Sequence, residues 1–589
     1  MNTRIDNTPK DDAAQPSEKS GQSGLKQHVQ RGLPGIDIVI LCAVALVALI
    51  PRIILAGQLD VVTDEVVYIL GGKIYLPLIE HLNMGASGWS FNYEHPPFVK
   101  LLTGLSMAFN RVTGQPMGEL FAARIPSILF GTLLVVALYV LGRAPFGRAV
   151  ALLAALCLAV SPWLVYFSAL AYLDMTMTAL ITIAYLLLWH TIGRPWLYLV
   201  IAALTGLGVA SKYTASLAIP GMVLFIAYYF LALRPRLPVE QRPPVPWKWW
   251  LGAIIVAPLT FLVADPAIWP QPIGLLHHSF DFEFNHSING HLTFLAGQYS
   301  LHVPHWAILY IIATKISAFV TIPAAFFAIF AVVQLVRFHL HSGNVQVTEV
   351  APQAFLLIWL IAILGMFSLL NIVVGTHYHL PIAAPVALAG AAGLTIILRY
   401  HRGSLFATPK TQVTTDATQN KLPTAASRPP INPRAAIVLV VLTILMTGSH
   451  LFGLITVHAA EGYTSEFFRS ENNALQIAYP GYREAVQWIA AHDAKSARIG
   501  LVALPGTLNG YSSNASWFTY NQDLPRRFTL SEVHPTDKNF ADDYLVWPMH
   551  LVQRGYTIPA TWHAHIVNIV MGGNTIYCYI LSNPSNMAL

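Results

Sequence analysis

Charged side chains are scarce in this 589-residue chain: only 11 % of its residues are Asp, Glu, Lys or Arg, whereas 55 % are hydrophobic. Soluble domains carry about 25 % charged residues, so this composition excludes an ordinary soluble enzyme. The formal net charge is only +6, and the sequence shows no clustered basic face with aromatic residues of the kind that nucleic-acid-binding proteins carry. Nucleic acid is therefore not an expected partner.

Cysteine is almost as rare, with three residues in the whole chain. Cys42 and Cys157 fall within apolar runs and Cys578 stands alone near the C-terminus. This excludes a disulfide framework and a CxxC metal site. Residues 458–589 also lack a nucleotide-binding glycine fingerprint, so a nucleotide-sugar site is not expected there.

Long apolar runs are what the sequence does have. They recur at a length of about 20 residues, enough for a helix to cross a bilayer. We predict a polytopic α-helical membrane protein with about eleven spans, followed by a small α/β domain. The predicted spans are 36–56, 121–142, 148–168, 173–192, 197–212, 213–233, 249–268, 307–336, 354–374, 380–398 and 435–457.

Five segments follow from this pattern. Residues 1–35 are polar and predicted to be disordered, and 36–400 form the membrane module. Residues 401–434 have linker composition, 435–457 form the last span, and 458–589 form the α/β domain. The first apolar run lacks a small-x-small cleavage site and is predicted to stay as an uncleaved span.

Basic residues lie in alternate loops, which predicts the orientation. Arg143, Arg148, Arg194 and a group between 234 and 248 fall on the same side as the N-terminus. The positive-inside rule places that side in the cytoplasm. We therefore predict a multi-pass protein of the plasma membrane, with its α/β domain outside the cytoplasm and two long outward loops, 57–120 and 269–306.

The stretch VVTDEVVYILGG places two adjacent carboxylates, Asp64 and Glu65, in the first outward loop. Acids in the first turn of a helix are stabilised by the helix dipole, and this alone could explain them. Adjacent helical residues point about 100° apart, however. One acid can thus face a substrate hydroxyl while the other contacts the scaffold.

Four further stretches place polar residues on the same side. SFNYEHPPFVKLLTG carries Glu94, His95 and Lys100, with two prolines that can open a helix. AYLDMTMT, SKYT and THYHLP carry Asp174, Lys212 and the His377 to His379 group. Each has a plain explanation, such as a lysine that snorkels to the interface or aromatic belt residues. Because all of them are predicted to lie on the outer side of the membrane, a shared functional site is favoured.

Together these stretches resemble the GT-C glycosyltransferases. The Asp-Glu pair, the His-Pro-Pro stretch with its following lysine, and Leu-Asp-Met are similar to motifs of the protein O-mannosyltransferases and of the aminoarabinose transferases that modify lipid A. The resemblance covers most of 36–400. It implies an inverting glycosyltransferase that moves a sugar, with mannose expected, from a polyprenyl-phosphate donor to an acceptor hydroxyl at the outer face.

The resemblance also implies roles for individual residues. Asp64 is the expected general base, and the donor phosphate is expected to contact Lys212, Tyr378, His95, Lys100 and His379. Glu65, Glu94 and Asp174 are expected to support the acceptor or the scaffold. The aminoarabinose transferases have Lys-Pro-Pro where this chain has His95-Pro96-Pro97, which favours the mannosyltransferase side.

The residue pattern leaves several points open. A divalent cation is a possible cofactor, but no ligand spacing shows a metal site. The acceptor is a protein hydroxyl, a glycolipid or a cell-wall glycan. A lipid or solute transporter is the competing class, which the clean spans and the absence of an internal repeat disfavour. A membrane scaffold would leave the polar stretches unexplained.

Overall fold

Helices make up most of the membrane module in the computed structural model, which describes residues 35–290, 292–340, 346–371, 375–401, 433–510, 512, 515–562, 566–570 and 574–583. Most of the predicted N-terminal tail and of the 401–434 linker lies outside these described residues. The chain divides into a short unit, Met1–Ala43, and a large unit, Val44–Leu589, to which all the contacts below belong.

Eight helices among the described residues are long and apolar enough to cross a membrane. They are Asp37–Gln58, Glu119–Ala159, Leu173–His190, Tyr213–Arg236, Trp247–Ala264, Ala318–Leu340, Val347–Phe367 and Thr376–Leu398. Glu119–Ala159 turns at Gly147, whose φ of 82° is non-helical, and it covers the predicted span 121–142 and the first part of 148–168. Leu197–Ser211 and Val440–Thr456 are shorter apolar helices. The predicted polytopic helical fold is confirmed.

Two apolar runs are interrupted at a defined position: the first between the predicted spans 197–212 and 213–233, the second inside 307–336, which was predicted as one span. Leu197–Ser211 ends before Lys212, whose backbone is extended (φ −159°, ψ 131°), and a 3₁₀ helix follows at Tyr213–Ala218. The long run 307–336 is divided into Ala307–Lys315 and Ala318–Leu340. Both breaks interrupt an apolar run at a lysine, because the ammonium group finds buried partners away from the helix axis.

Three further helices lie between the spans: Thr63–Glu80, Phe98–Val112 and Pro272–Asn289. The first two approach each other closely at Gly72, where an added Cβ would lie 2.7 Å from the carbonyl oxygen of Lys100. This contact fixes the Asp64 helix against the segment that follows the two prolines. A short hairpin, β1 (Thr293–Leu295) and β2 (Gln298–Ser300), follows the third helix.

Pro162–Ser168 is a further short helix of the membrane module. Within the apolar stretches given above, the α-helical bounds are Gly35–Gln58, Ile219–Tyr228, Ala383–His401 and Pro433–Thr456. Several spans pack side by side, including Leu197–Ser211 between Leu173–His190 and Trp247–Ala264.

The C-terminal domain contains a five-stranded mixed sheet, as the α/β prediction expected. Its strands are β3 (Ala497–Val502), β4 (Phe528–Val533), β5 (Tyr544–Pro548), β6 (Ile566–Val570) and β7 (Ile576–Ser582), in the order β4-β3-β5-β7-β6. The helices of the domain are Tyr482–His492, Trp517–Tyr520 and Met549–Gln553. Sequence reasoning missed β4, because this edge strand is mostly half-buried or exposed and carries no strong apolar alternation.

The C-terminal domain is joined to the membrane module through a buried carboxylate. Asp60 accepts hydrogen bonds from the indole of Trp517 (2.7 Å) and the side-chain amide of Asn521 (2.8 Å). Its own backbone N–H donates to the hydroxyl of Tyr479 (2.9 Å). Burial and the charge of Glu484 raise the pKa of Asp60 to about 6. The residues just before the Asp64 helix are thus held by the domain.

Candidate active site

The two adjacent acids at the start of Thr63–Glu80 have separate surroundings. Glu65 is fully buried and forms two hydrogen bonds with Arg124, at 2.8 Å from Nε and 2.7 Å from Nη2. The backbone N–H groups of Ala171 and Val62 also donate to its carboxylate, at 2.8 and 3.1 Å. Every carboxylate oxygen of Glu65 is therefore engaged, which is the geometry of a scaffold contact.

Arg124 extends this scaffold to the preceding loop. Its guanidinium also donates to the carbonyl oxygens of Ala56 (2.8 Å), Leu59 (2.9 Å) and Asp60 (2.9 Å). A planar, always charged group with five N–H donors is suited to such a junction. It fixes the end of the first span relative to Glu65 and hence the direction of Asp64.

Asp64 is the half-buried member of the pair. The hydroxyl of Tyr172 donates to its Oδ2 at 3.2 Å. Burial raises the pKa of Asp64 above its ordinary value of 3.8, while the Tyr172 hydrogen bond and the charges of Lys212 and His95 act in the opposite direction. A carboxylate with a raised pKa and a partly open surface can accept a proton from a bound hydroxyl.

Lys212, Asp174 and Tyr378 lie in direct contact. The Lys212 ammonium donates to Oδ1 of Asp174 at 2.8 Å and lies 3.8 Å from the ring centroid of Tyr378. Both charged side chains are buried, with 2 % and 0 % of their surface exposed. Asp174 is the one hydrogen-bond acceptor that the described residues offer to Lys212. An ammonium has three N–H bonds, so donors remain for an anion.

Aromatic rings connect Asp64 with the lysine cluster. The ring of Tyr172 lies 5.8 Å from that of Tyr68 and 5.4 Å from that of His377, and His377 lies 4.5 Å from Tyr378. Tyr68 lies 6.1 Å from His95 in turn. The carboxylate and the cation therefore share one aromatic-walled cluster to which five separate chain segments contribute.

The loop ahead of Phe98–Val112 is held by Lys100. This side chain is fully buried, and its ammonium donates to the carbonyl oxygens of Asn92 (2.7 Å) and His95 (2.8 Å). Burial lowers its pKa to about 7. The two carbonyl bonds hold the loop that carries His95, and the phosphate contact that the resemblance implied for Lys100 stays a prediction.

The other predicted residues lie at varying distances from this centre. His95 pairs with Glu283, with 3.1 Å between Nδ1 and Oε1. Glu94 accepts a hydrogen bond from Asn92 at 2.5 Å. His379 is buried, and its Nδ1 has no hydrogen-bond partner among the described residues. Among the residues that the structure describes, His379 makes neither a ring contact nor a polar contact with Lys212.

A metal was left open by the sequence. Within the described ranges, no three His, Cys, Asp or Glu side chains lie close enough to hold one. Next to the cluster, His95 and Glu283 supply two potential ligands. No step below is routed through a metal.

Residues 94–264 match the family model described as dolichyl-phosphate-mannose-protein mannosyltransferase. The membrane module is that of a glycosyltransferase. The match covers less than half of the chain, but it includes His95, Asp174 and Lys212. It confirms the resemblance to the protein O-mannosyltransferases that the sequence predicted.

Some solved structures show weaker likenesses to this glycosyltransferase. ArnT from Cupriavidus metallidurans bound to undecaprenyl phosphate is 15 % identical, with a TM-score of 0.43 over 93 % of this chain and 98 % of that one. The Archaeoglobus fulgidus oligosaccharyltransferase tethered with an acceptor peptide is 11 % identical, with a TM-score of 0.42 over 83 % and 63 % of the two chains. With TM-scores below 0.5, these likenesses support no inference about the function of this chain. No curated protein matches the chain.

Sequence reasoning missed two aromatic residues of this cluster. Tyr68 follows Asp64 by one helical turn, which is a usable signal because residues four apart share a helix face. Tyr172 lies two residues before Asp174, in a stretch already singled out.

Proposed function

We propose that this protein is an inverting glycosyltransferase that moves a sugar from a polyprenyl phosphate to an acceptor hydroxyl at the outer face of the membrane. The observation that carries this proposal is the shared cluster of Asp64 with Lys212 and Tyr378. It places a proton acceptor near a cation, and a transfer from a phosphate donor needs both groups. The family description supports dolichyl-phosphate mannose, itself a polyprenyl phosphate, as the donor.

In the proposed reaction, Asp64 takes the proton of the acceptor hydroxyl. The acceptor oxygen attacks the anomeric carbon as the bond from that carbon to the phosphate oxygen breaks. Attack from the face opposite the phosphate inverts the anomeric configuration. The bonding pair stays with the departing polyprenyl phosphate, so its negative charge grows as the bond breaks.

Lys212 receives that developing charge in this proposal. Preorganised donors aimed at developing charge account for a large share of enzymatic rate enhancement. The contact with Asp174 holds the ammonium in place, and the ring of Tyr378 limits the directions it can take. The mechanism therefore assigns Asp174 to positioning and Lys212 to direct contact with the leaving group.

The acceptor in this proposal is a protein hydroxyl, in keeping with the family description. A lipid or cell-wall glycan is the alternative acceptor, and it presents the same attacking group. Mass spectrometry separates the two: purified enzyme is incubated with polyprenyl-phosphate mannose and either Ser/Thr peptides or glycolipids. Transfer to neither class of acceptor would contradict the proposed function.

Asp64→Asn tests the assigned base. It keeps the shape of the side chain but removes the proton-accepting charge, and a positioned base contributes about 10²–10⁴-fold. We expect the transfer rate to fall by that factor while the melting temperature changes little. Parental transfer by Asp64→Asn would show that the base lies elsewhere.

Glu65→Gln is the matched control, one residue away on the same helix. It leaves the buried Arg124 without its counter-charge, a change that typically costs about 3–5 kcal/mol of stability. We therefore expect a lower melting temperature for Glu65→Gln and a normal one for Asp64→Asn. Equal loss of stability in the two variants would contradict the separate roles of the two acids.

A further inference from the structure

A cavity of about 510 Å³ lies beside the Asp64 and Lys212 cluster. Its volume falls in the range of small-molecule binding sites, which are mostly apolar with a few convergent polar groups. Its wall comes from the 84–97 loop, the segment after Trp247–Ala264 and the helix Pro272–Asn289. Aromatic residues are prominent in it, namely Tyr75, Trp89, Tyr93 and Tyr213.

Asp265 is the acidic residue of this cavity wall. It is 1 % exposed, and neither carboxylate oxygen has a hydrogen-bond partner in good geometry among the described residues. Burial raises its pKa to about 7, while the charge of Lys100 and the backbone N–H of Ala267 act in the opposite direction. Beyond that N–H the described residues give the carboxylate no donor, and a buried carboxylate that is short of donors is costly. A ligand that brings hydroxyl groups would supply them.

The cavity shares part of its wall with the active-site cluster. His95 lines the cavity, and its ring lies 6.1 Å from that of Tyr68. Tyr213 also lines it and directly follows Lys212 in the chain. The cavity is thus connected to the cluster of Asp64 through His95 and to the segment of Lys212 through Tyr213.

We propose that this cavity is a binding subsite for a sugar ring, with hydroxyl groups bound by Asp265 and apolar C–H faces packed against the aromatic wall. A lipid tail would leave the carboxylate without partners. Among the described residues, no three His, Cys, Asp or Glu side chains are placed to hold a metal ion, so a metal is not the expected ligand of the cavity. A neutral sugar satisfies both the carboxylate and the rings.

The inference deepens the proposed function and rests on it. Because the ring could belong to the donor or to a glycan acceptor, the experiment tests both sources. Binding is measured rather than transfer, so a failure here is distinct from a failure of the proposed reaction. Asp64→Asn, which is expected to lose transfer, should keep sugar binding.

The first arm uses methyl glycosides of mannose, glucose and galactose as probes. Their affinities for the full-length protein in nanodiscs are measured by saturation-transfer NMR titration. We expect at least one to bind, and Asp265→Asn to weaken it by about 10- to 100-fold, as expected for loss of hydrogen bonds to a charged group. Asp281→Asn is the matched control, because Asp281 is on the nearby helix, is half exposed and pairs with His277.

The second arm compares polyprenyl-phosphate mannose with polyprenyl phosphate that carries no sugar. If the ring is the donor's, Asp265→Asn weakens only the sugar-bearing lipid. If it is the acceptor's, neither lipid changes and the methyl glycoside binds together with the donor. Each of these results supports the subsite and names its source.

The proposal is overturned if none of the three glycosides binds the parental protein. It is also overturned if Asp265→Asn leaves the affinities of all probes unchanged. Should Asp265→Asn not fold, Tyr213→Leu provides the second variant. It removes an aromatic ring of the wall and should weaken the same glycoside, and unchanged affinity in this variant would equally refute the inference.

Discussion

Removal of Lys212 has two effects that a double variant can separate. Lys212 and Asp174 are buried together at 2.8 Å, with 2 % and 0 % of their side-chain surface exposed. Lys212→Met leaves the carboxylate of Asp174 buried without a counter-charge, which typically costs about 3–5 kcal/mol. The same change removes a preorganised donor from the leaving phosphate, which typically costs about 10²–10³-fold in turnover.

Lys212→Met combined with Asp174→Asn removes the uncompensated charge. We expect the double variant to recover most of the lost stability, because replacement of a buried pair by neutral groups is often close to neutral. Its transfer rate should stay as low as that of the single variant, since the donor to the phosphate is still absent. Stability is measured by thermal unfolding in detergent, and activity by initial rates with polyprenyl-phosphate mannose.

The result that would refute this reasoning is a double variant with both stability and near-parental transfer. Lys212 would then act only as the partner of a buried acid. Lys212→Arg provides a further check, because it keeps the charge but changes the reach and geometry of the donors. Partial activity is expected for a phosphate contact, and full activity for a purely structural one.

Three other predictions follow from the same geometry. Activity should rise with pH as Asp64 loses its proton, and the acid limb of the kcat/KM profile should have its midpoint above pH 3.8. Tyr172→Phe removes a hydrogen bond that lowers the pKa of Asp64, so it should move this midpoint to higher pH. An unchanged midpoint would contradict the role of this hydrogen bond. Asp60→Ala removes the acceptor of two buried donors, so limited proteolysis should release the C-terminal domain faster than from the parental protein. In intact cells, an impermeant maleimide should label a cysteine placed at the exposed Lys538 once Cys42 is replaced; labelling only after lysis would reverse the predicted orientation.

The helical fold was predictable because its signals are local. Hydropathy marks the spans, and the sequence around Asp64 and Lys100 marks helix starts without knowledge of any partner. The edge strand β4 was missed because its pattern is weak. The run 307–336 was treated as one segment, since the break after Lys315 depends on its buried contacts with Glu461 and Glu471.

The partners of the site residues were not predictable, because they come from distant parts of the chain. Arg124 lies 59 residues from Glu65, and Lys212 lies 38 residues from Asp174. Hydropathy and spacing show that such residues share one side of the membrane, but not which acid receives which cation. The same limit applies to Lys100. Its residue type suggests a phosphate ligand, but it does not show that the ammonium donates to the carbonyl oxygens of Asn92 and His95.

The hydrogen bonds at Asp60 have a consequence for how this protein can be recombined with its relatives. The carboxylate accepts from Trp517 and Asn521, whereas its backbone carbonyl accepts from Arg124 of the membrane module. One residue, four positions before Asp64, therefore joins the two parts. The backbone N–H of Arg483 in the C-terminal domain also donates to this carboxylate. A chimera that exchanges the domain must replace these donors, or the buried acid keeps only the N–H of Val61 just before the helix that carries Asp64. The contact that such a design must preserve is at Asp60, far in sequence from the domain boundary near residue 458.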